Sequence, residues 1–66
     1  MGAIGNHIRR LRFEQGEMTQ AALAEKIGVT RQTVNAIEQN KYSPSLETAF
    51  RIAEVFGVGI GEVFYY

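Results

Sequence analysis

Two observations predict an all-α fold of five short helices. Apolar residues recur three and four positions apart within short segments, the period that gathers them on one helical face. Each segment is bracketed by residues suited to helix ends, with Thr19, Thr30 and Ser45 in front and Gly16, Gly28, Asn40 and Gly57 behind. The 66 residues point to one domain whose core is small, so association with a second copy is expected.

The first helix follows from Ile4, Ile8 and Leu11, which share one face, and Gly16 suits the left-handed residue that closes it. Arg12, four positions after Ile8, lies beside that stripe. Thr19 caps a second helix of about two turns, with Leu23, Ala24 and Ile27 inward and Gly28 as its stop. Thr30 caps a third, with Val34 and Ile37 inward and Asn40 in the closing position. Ser45, just after Pro44, caps a fourth, whose buried set is Leu46, Ala49, Ile52, Ala53 and Phe56 before Gly57. In the remaining "VGIGEVFYY", Ile60, Val63 and Phe64 fit one helical turn, but two glycines weaken it and the aromatic end suits a strand equally well.

Composition excludes several functions. With no cysteine there is neither a disulfide framework nor a thiolate metal site, and one histidine cannot build a zinc site, so no metal and no cofactor is expected. No signal-peptide pattern opens the chain and no apolar run approaches the ~20 residues of a membrane span, so a soluble cytoplasmic protein without membrane contact is expected. An enzyme is not expected either. There is no Asp, His7 has no nucleophile to serve, and the glycines are scattered rather than gathered into a phosphate loop. His7 itself reads as a surface residue of the first helix, with a phosphate contact as the lesser alternative.

The informative stretch is "VTRQTVNAIEQNKYSPS". Two short helices across a Gly turn, at about residues 20–39, form the arrangement that presents a second helix to the major groove. Around Val34 and Ile37, the residues Gln32, Asn35, Ala36 and Gln39 point outward and Arg31 projects from the first turn. Arg can bond a guanine edge bidentately, Gln and Asn can do so to adenine, and Ala36 is small enough to meet a thymine methyl. The same side chains are common on any solvated helix face, so the neighbours matter. Gln20 opens the second helix, where backbone N–H groups and an amide can hold a phosphate, and Lys41, Tyr42 and Ser43 add donors just past the third.

Together "IRRLR", "MTQAALAEKIGVTRQTVNAIEQNKYSPSLETAFRIAEVFGV" and the ending "EVFYY" resemble the lambda-repressor-like, or Cro/C1-type, helix-turn-helix regulators over nearly the whole chain. The resemblance is strongest to short members that are little more than the DNA-binding domain and dimerise through their C-terminal part. It implies that Arg31, Gln32 and Ala36 face bases and that Gln20, Thr33, Lys41 and Tyr42 lie near the DNA backbone. It also implies an ion pair between Arg12 and Glu38. Helical phase supports that pair independently, since Arg12 borders the Ile8 stripe and Glu38 stands four residues from Val34. Two features depart from the pattern. "GEMTQ" has one residue more than the commonest turn, enough to rotate the second helix and move Gln20, and Phe13 falls off the inward stripe, either covering a loop or standing exposed.

Seven basic and seven acidic residues leave no net charge, but their order is uneven. Arg9, Arg10, Arg12, Arg31 and Lys41 precede Tyr42, whereas Glu47, Glu54 and Glu62 follow it with only Arg51. Modest nonspecific affinity is therefore expected, and a dimer engaging both halves of a palindrome would gain most. Val55, Val58, Ile60, Val63, Phe64, Tyr65 and Tyr66, in a C-terminal segment of about residues 55–66, supply the expected dimer surface, with a short strand there as one version. The expectation is a transcriptional regulator of the repressor kind, acting on double-stranded DNA as a homodimer. The alternative is a protein interaction module, an antitoxin-like or anti-repressor partner, with DNA binding secondary.

Overall fold

Capping residues decide where the helices of this chain begin. In a computed structural model, which describes residues 4–66, the order is β1 (Gly5–Asn6), α1 (Ile8–Glu14), α2 (Gln20–Ile27), α3 (Arg31–Glu38), α4 (Leu46–Phe56), α5 (Ile60–Val63) and β2 (Phe64–Tyr65). The side chains of Thr19, Thr30 and Ser45 accept from the N–H groups of Ala22, Thr33 and Thr48 and so start α2, α3 and α4. Gly28 and Gly57 close α2 and α4 in the left-handed region, at φ +77° and +68°.

The core lies where α1 to α5 converge. Ile8, Leu23, Ile27, Val34, Ile52 and Val63 are essentially inaccessible, each worth about 1.5–3 kcal/mol of burial. Leu11, Ala24, Ile37, Ala53 and Phe56 complete the cluster. No buried side-chain nitrogen or oxygen lacks a partner among the described residues.

Two expected core positions are corrected. Ile4 does not belong to the stripe of α1, because the helix starts only at Ile8, where the Asn6 side chain accepts the Ile8 N–H at 3.1 Å. Gly5 and Asn6 run extended instead, and Ile4 is 45% exposed. Leu46 is 70% exposed: it occupies the first position of α4, where no other element covers it, while Ala49, Ile52, Ala53 and Phe56 are buried as expected.

The extra residue between α1 and α2 is absorbed locally. Gly16 and Glu17 both adopt positive φ, +74° and +60°, and the chain folds back so that the Glu17 and Met18 N–H groups reach the carbonyls of Phe13 and Arg12. Both readings of the C-terminal segment hold in succession. The Glu62 carboxylate accepts from the Gly59 N–H at 3.1 Å and steadies one turn of helix, and the chain then extends at Phe64. The strand pairs antiparallel with β1 of the same chain, Gly5 opposite Tyr65 and Asn6 opposite Phe64. Thus one edge of β2 is taken by the chain itself.

Candidate nucleic-acid interface

The two helices expected at residues 20–39 are α2 and α3. Both the Gly28 and the Val29 N–H groups bond to the Ala24 carbonyl, which makes the turn tight, and Val29 packs on the core behind it. This geometry presents the outer face of α3 to solvent.

Along that face the expected base-reading residues are not equivalent. Arg31 and Gln32 are exposed on the first turn and make no side-chain hydrogen bond among the described residues. Asn35 is half-buried, and its Oδ1 accepts from Gln20 Nε2 at 3.1 Å and Gln39 Nε2 at 3.3 Å. Bidentate adenine recognition needs both the oxygen and the nitrogen of an amide, so Asn35 is the less available reader. Ala36 is half-buried beside it.

The last turn of α3 is anchored. Arg12 Nε and Nη2 reach the two carboxylate oxygens of Glu38 at 2.7 and 3.0 Å, and Arg12 Nη1 donates to the Met18 carbonyl at 2.8 Å. The two side chains are only 14% and 8% exposed, and the fork geometry is the strong, bidentate kind. The expected ion pair therefore joins α1 to α3. Gln20 Nε2 also donates to Glu38 Oε1, at 3.1 Å. This changes the expectation for Gln20: its side-chain donor is already spent inside the fold, which leaves the backbone N–H as its means of holding a phosphate.

Among the other expected phosphate contacts, the Thr33 hydroxyl lies 3.0 Å from that of Thr30, on the first turn of α3. Lys41, Tyr42 and Ser43 are exposed in the loop after α3. Asn40 takes φ +60° there, and the Lys41 N–H bonds to the Ala36 carbonyl at 2.9 Å. Phe13 is 69% exposed, which decides between its two readings.

The C-terminal set divides. Val63 is wholly buried in its own core, beyond the reach of a second copy, because it sits on the inner face of the single turn of α5. Val55, Val58, Ile60 and Phe64 are partly buried against the same core. Tyr65 stacks on His7 with ring centroids 4.6 Å apart, and Tyr66 is 92% exposed. His7 is thus half-buried under an aromatic ring in the cap position of α1, rather than a plain surface residue of the helix. Ile4, Tyr42 and Leu46 join Ile60, Phe64 and Tyr66 around a groove of about 560 Å³ whose lining carries no charged side chain.

Asn6 and Gly5 escaped sequence reasoning, and the partner of His7 was not foreseen. Asn6 bonds α1 to the far end of α3, Gly5 lies beneath the Tyr65 ring, and His7 is its stacking partner. One signal was available: an Asn side chain readily accepts from the N–H two residues on, and Asn6 stands two residues before Ile8.

Among the described residues no helix is long and apolar enough to cross a membrane, and no group of three or more acidic or histidine side chains could hold a metal ion. Comparison with known proteins agrees with this architecture. The family profile described as helix-turn-helix matches residues 8–63. An uncharacterized HTH-type transcriptional regulator of Methanocaldococcus jannaschii, MJ0272, is 57% identical over 49 residues, 74% of this chain and 74% of its own length. A second such regulator, from Archaeoglobus fulgidus, is 46% identical over 89% of this chain and 83% of its own. The immunity repressor protein of Bacillus phage phi105 is 33% identical over 91% of this chain, though this is only 41% of the phage protein. A tightly turned two-helix unit, an outward polar face on α3 and a match over nearly all of the described elements place this chain in the helix-turn-helix family of Cro/C1-type transcriptional regulators.

Proposed function

We propose that the protein is a cytoplasmic repressor that binds a palindromic operator in double-stranded DNA as a homodimer, with α3 in the major groove. The observation that carries this reading is the contrast within α3: Arg31 and Gln32 are exposed and uncommitted, while the Glu38 end is bonded to α1 and α2. Arg31 and Gln32 read base edges, Asn35 and Ala36 contribute beside them, and Lys41, Tyr42, Ser43, Thr33 and the backbone of Gln20 meet phosphates. Similarity to a phage immunity repressor favours repression over activation.

Dimerisation supplies what a neutral monomer lacks, since two recognition helices about 34 Å apart engage both half-sites. The uncharged groove and the exposed Tyr65 and Tyr66 support a self-complementary apolar contact, to which Val55, Val58, Ile60 and Phe64 add their accessible parts. That groove would equally suit a regulatory protein partner, the second reading.

Selection of bound duplexes from a randomised DNA pool at low salt, followed by titration of the winner at rising salt, tests the proposal. A palindrome with half-sites one helical turn apart is the expected result. A pool with nothing enriched would reject it and favour the protein partner.

A further inference from the structure

The last carbonyls of a helix lack partners within it, and in α3 those of Asn35, Ala36 and Ile37 are met by the N–H groups of Gln39, Lys41 and Asn40. No basic residue stands in the last turn to add to them. A side chain from the strand before α1 does. Asn6 Nδ2 donates to the Ile37 carbonyl at 3.0 Å and to Asn40 Oδ1 at 3.0 Å, with a longer approach of 3.5 Å to the Glu38 carbonyl. Through Oδ1 the same side chain accepts the Ile8 N–H, the first of α1, from one residue before the cap position. Its backbone is fixed in turn by the pairing of Asn6 with Phe64, and by the His7 N–H bonded to the Val63 carbonyl at 2.8 Å.

We infer that Asn6 is a positioning residue for DNA binding: without touching DNA, it holds the end of α3 and the Asn40–Tyr42 loop where that loop meets phosphate. The geometry makes the ribbon of β1 and β2 the mount for this tie, so the two ends of the chain set the placement of a loop in its middle. The inference rests on the proposed role of Lys41 at the DNA backbone.

Asn6→Ser keeps an oxygen that can accept the Ile8 N–H but is too short to reach Ile37 and Asn40. Asn40→Gly removes the acceptor from the other side while tolerating the positive φ. Operator affinity and its salt dependence are measured for both, for the double variant and for Lys41→Ala, with the folded fraction of each checked by circular dichroism. Asn6→Ser should weaken binding about five- to tenfold, evenly across base variants of the operator. It should also lower the salt slope by about 0.9, the equivalent of one phosphate. Asn40→Gly should share that loss, so that the double variant adds little. Amide exchange at Lys41 should quicken in both.

If Asn6→Ser lowers only the melting temperature while affinity and slope stay at wild-type values, and Lys41→Ala lowers the slope, Asn6 merely steadies the start of α1 and the inference is overturned alone. If Lys41→Ala leaves the slope unchanged on a selectively bound duplex, the reading of the loop fails and takes the inference with it.

Discussion

At the start of α3, Arg31 and Gln32 stand in solvent with no side-chain bond among the described residues, whereas toward its end Asn35, Glu38 and Asn40 are bonded to Gln20, Arg12 and Asn6, from three other parts of the fold. A side chain already bonded inside its fold must break those bonds to meet a base, while one in water gives up only water. The difference teaches that one eight-residue helix is held at its last turn and left free at its first, which under the proposed function is where bases are read.

The largest effect should come from the held end. Glu38→Ala leaves the largely buried Arg12 guanidinium without its carboxylate and removes one of the two acceptors of Gln20. Breaking such a pair from one side should cost about 3 kcal/mol. That approaches the whole net stability expected of so small a core, ~3–5 kcal/mol, so denaturant titration should find the variant barely folded. A midpoint close to wild type would mean that the anchor is not where the stability of α3 resides.

Arg31→Ala should do the reverse. The operator complex should weaken by about 1–3 kcal/mol and lose discrimination at one base position, while the free protein melts within about 0.5 kcal/mol of wild type. Binding to competing duplexes, set beside thermal melting, separates these two outcomes. Unchanged base preference would remove Arg31 from the reading end.

How legible this division was in the sequence depends on whether a residue acts locally. Caps, helix stops and inward stripes depend on neighbours within a turn, and so Thr19, Thr30, Ser45, Gly28 and Gly57 could be placed from the sequence. The Arg12 and Glu38 pair was legible from helical phase together with family resemblance. Contacts between distant segments carry no periodic signal. Asn6 meets residues more than thirty positions away, and Gln20 is turned inward by a carboxylate eighteen positions on. The apolar tail was legible as a composition, but which of its members would be buried depended on the placement of α5 against a core assembled from the rest of the chain.

The ribbon that mounts Asn6 extends the held side of the comparison, and Gly5→Ala probes it. A methyl at position 5 would fall 2.5 Å from the Tyr65 ring, so the ring must swing away and leave His7. The half-exposed ring has room to move, which limits the cost to about 1 kcal/mol. Loss of the ring-current shift at His7, with a matching fall in stability and no change in base preference, is the expected signature. An undisturbed His7 signal would detach the ribbon from the held side.

The smallest effect should be at Gln39, which tests where reading stops. It is exposed one turn along from Asn35 and donates to Asn35 Oδ1 at 3.3 Å, a long bond in water with little to lose. In composition it is as able to address adenine as Gln32 is, so chemistry alone does not separate them. Position does: Gln32 lies on the first turn, whereas Gln39 lies just past the last residue of α3, beside the end that other elements hold. Gln39→Ala should therefore change neither stability nor operator affinity by more than about 0.5 kcal/mol, as for an ordinary surface position. A shift in base preference on duplex competition would extend reading the full length of the helix and break the division between its two ends.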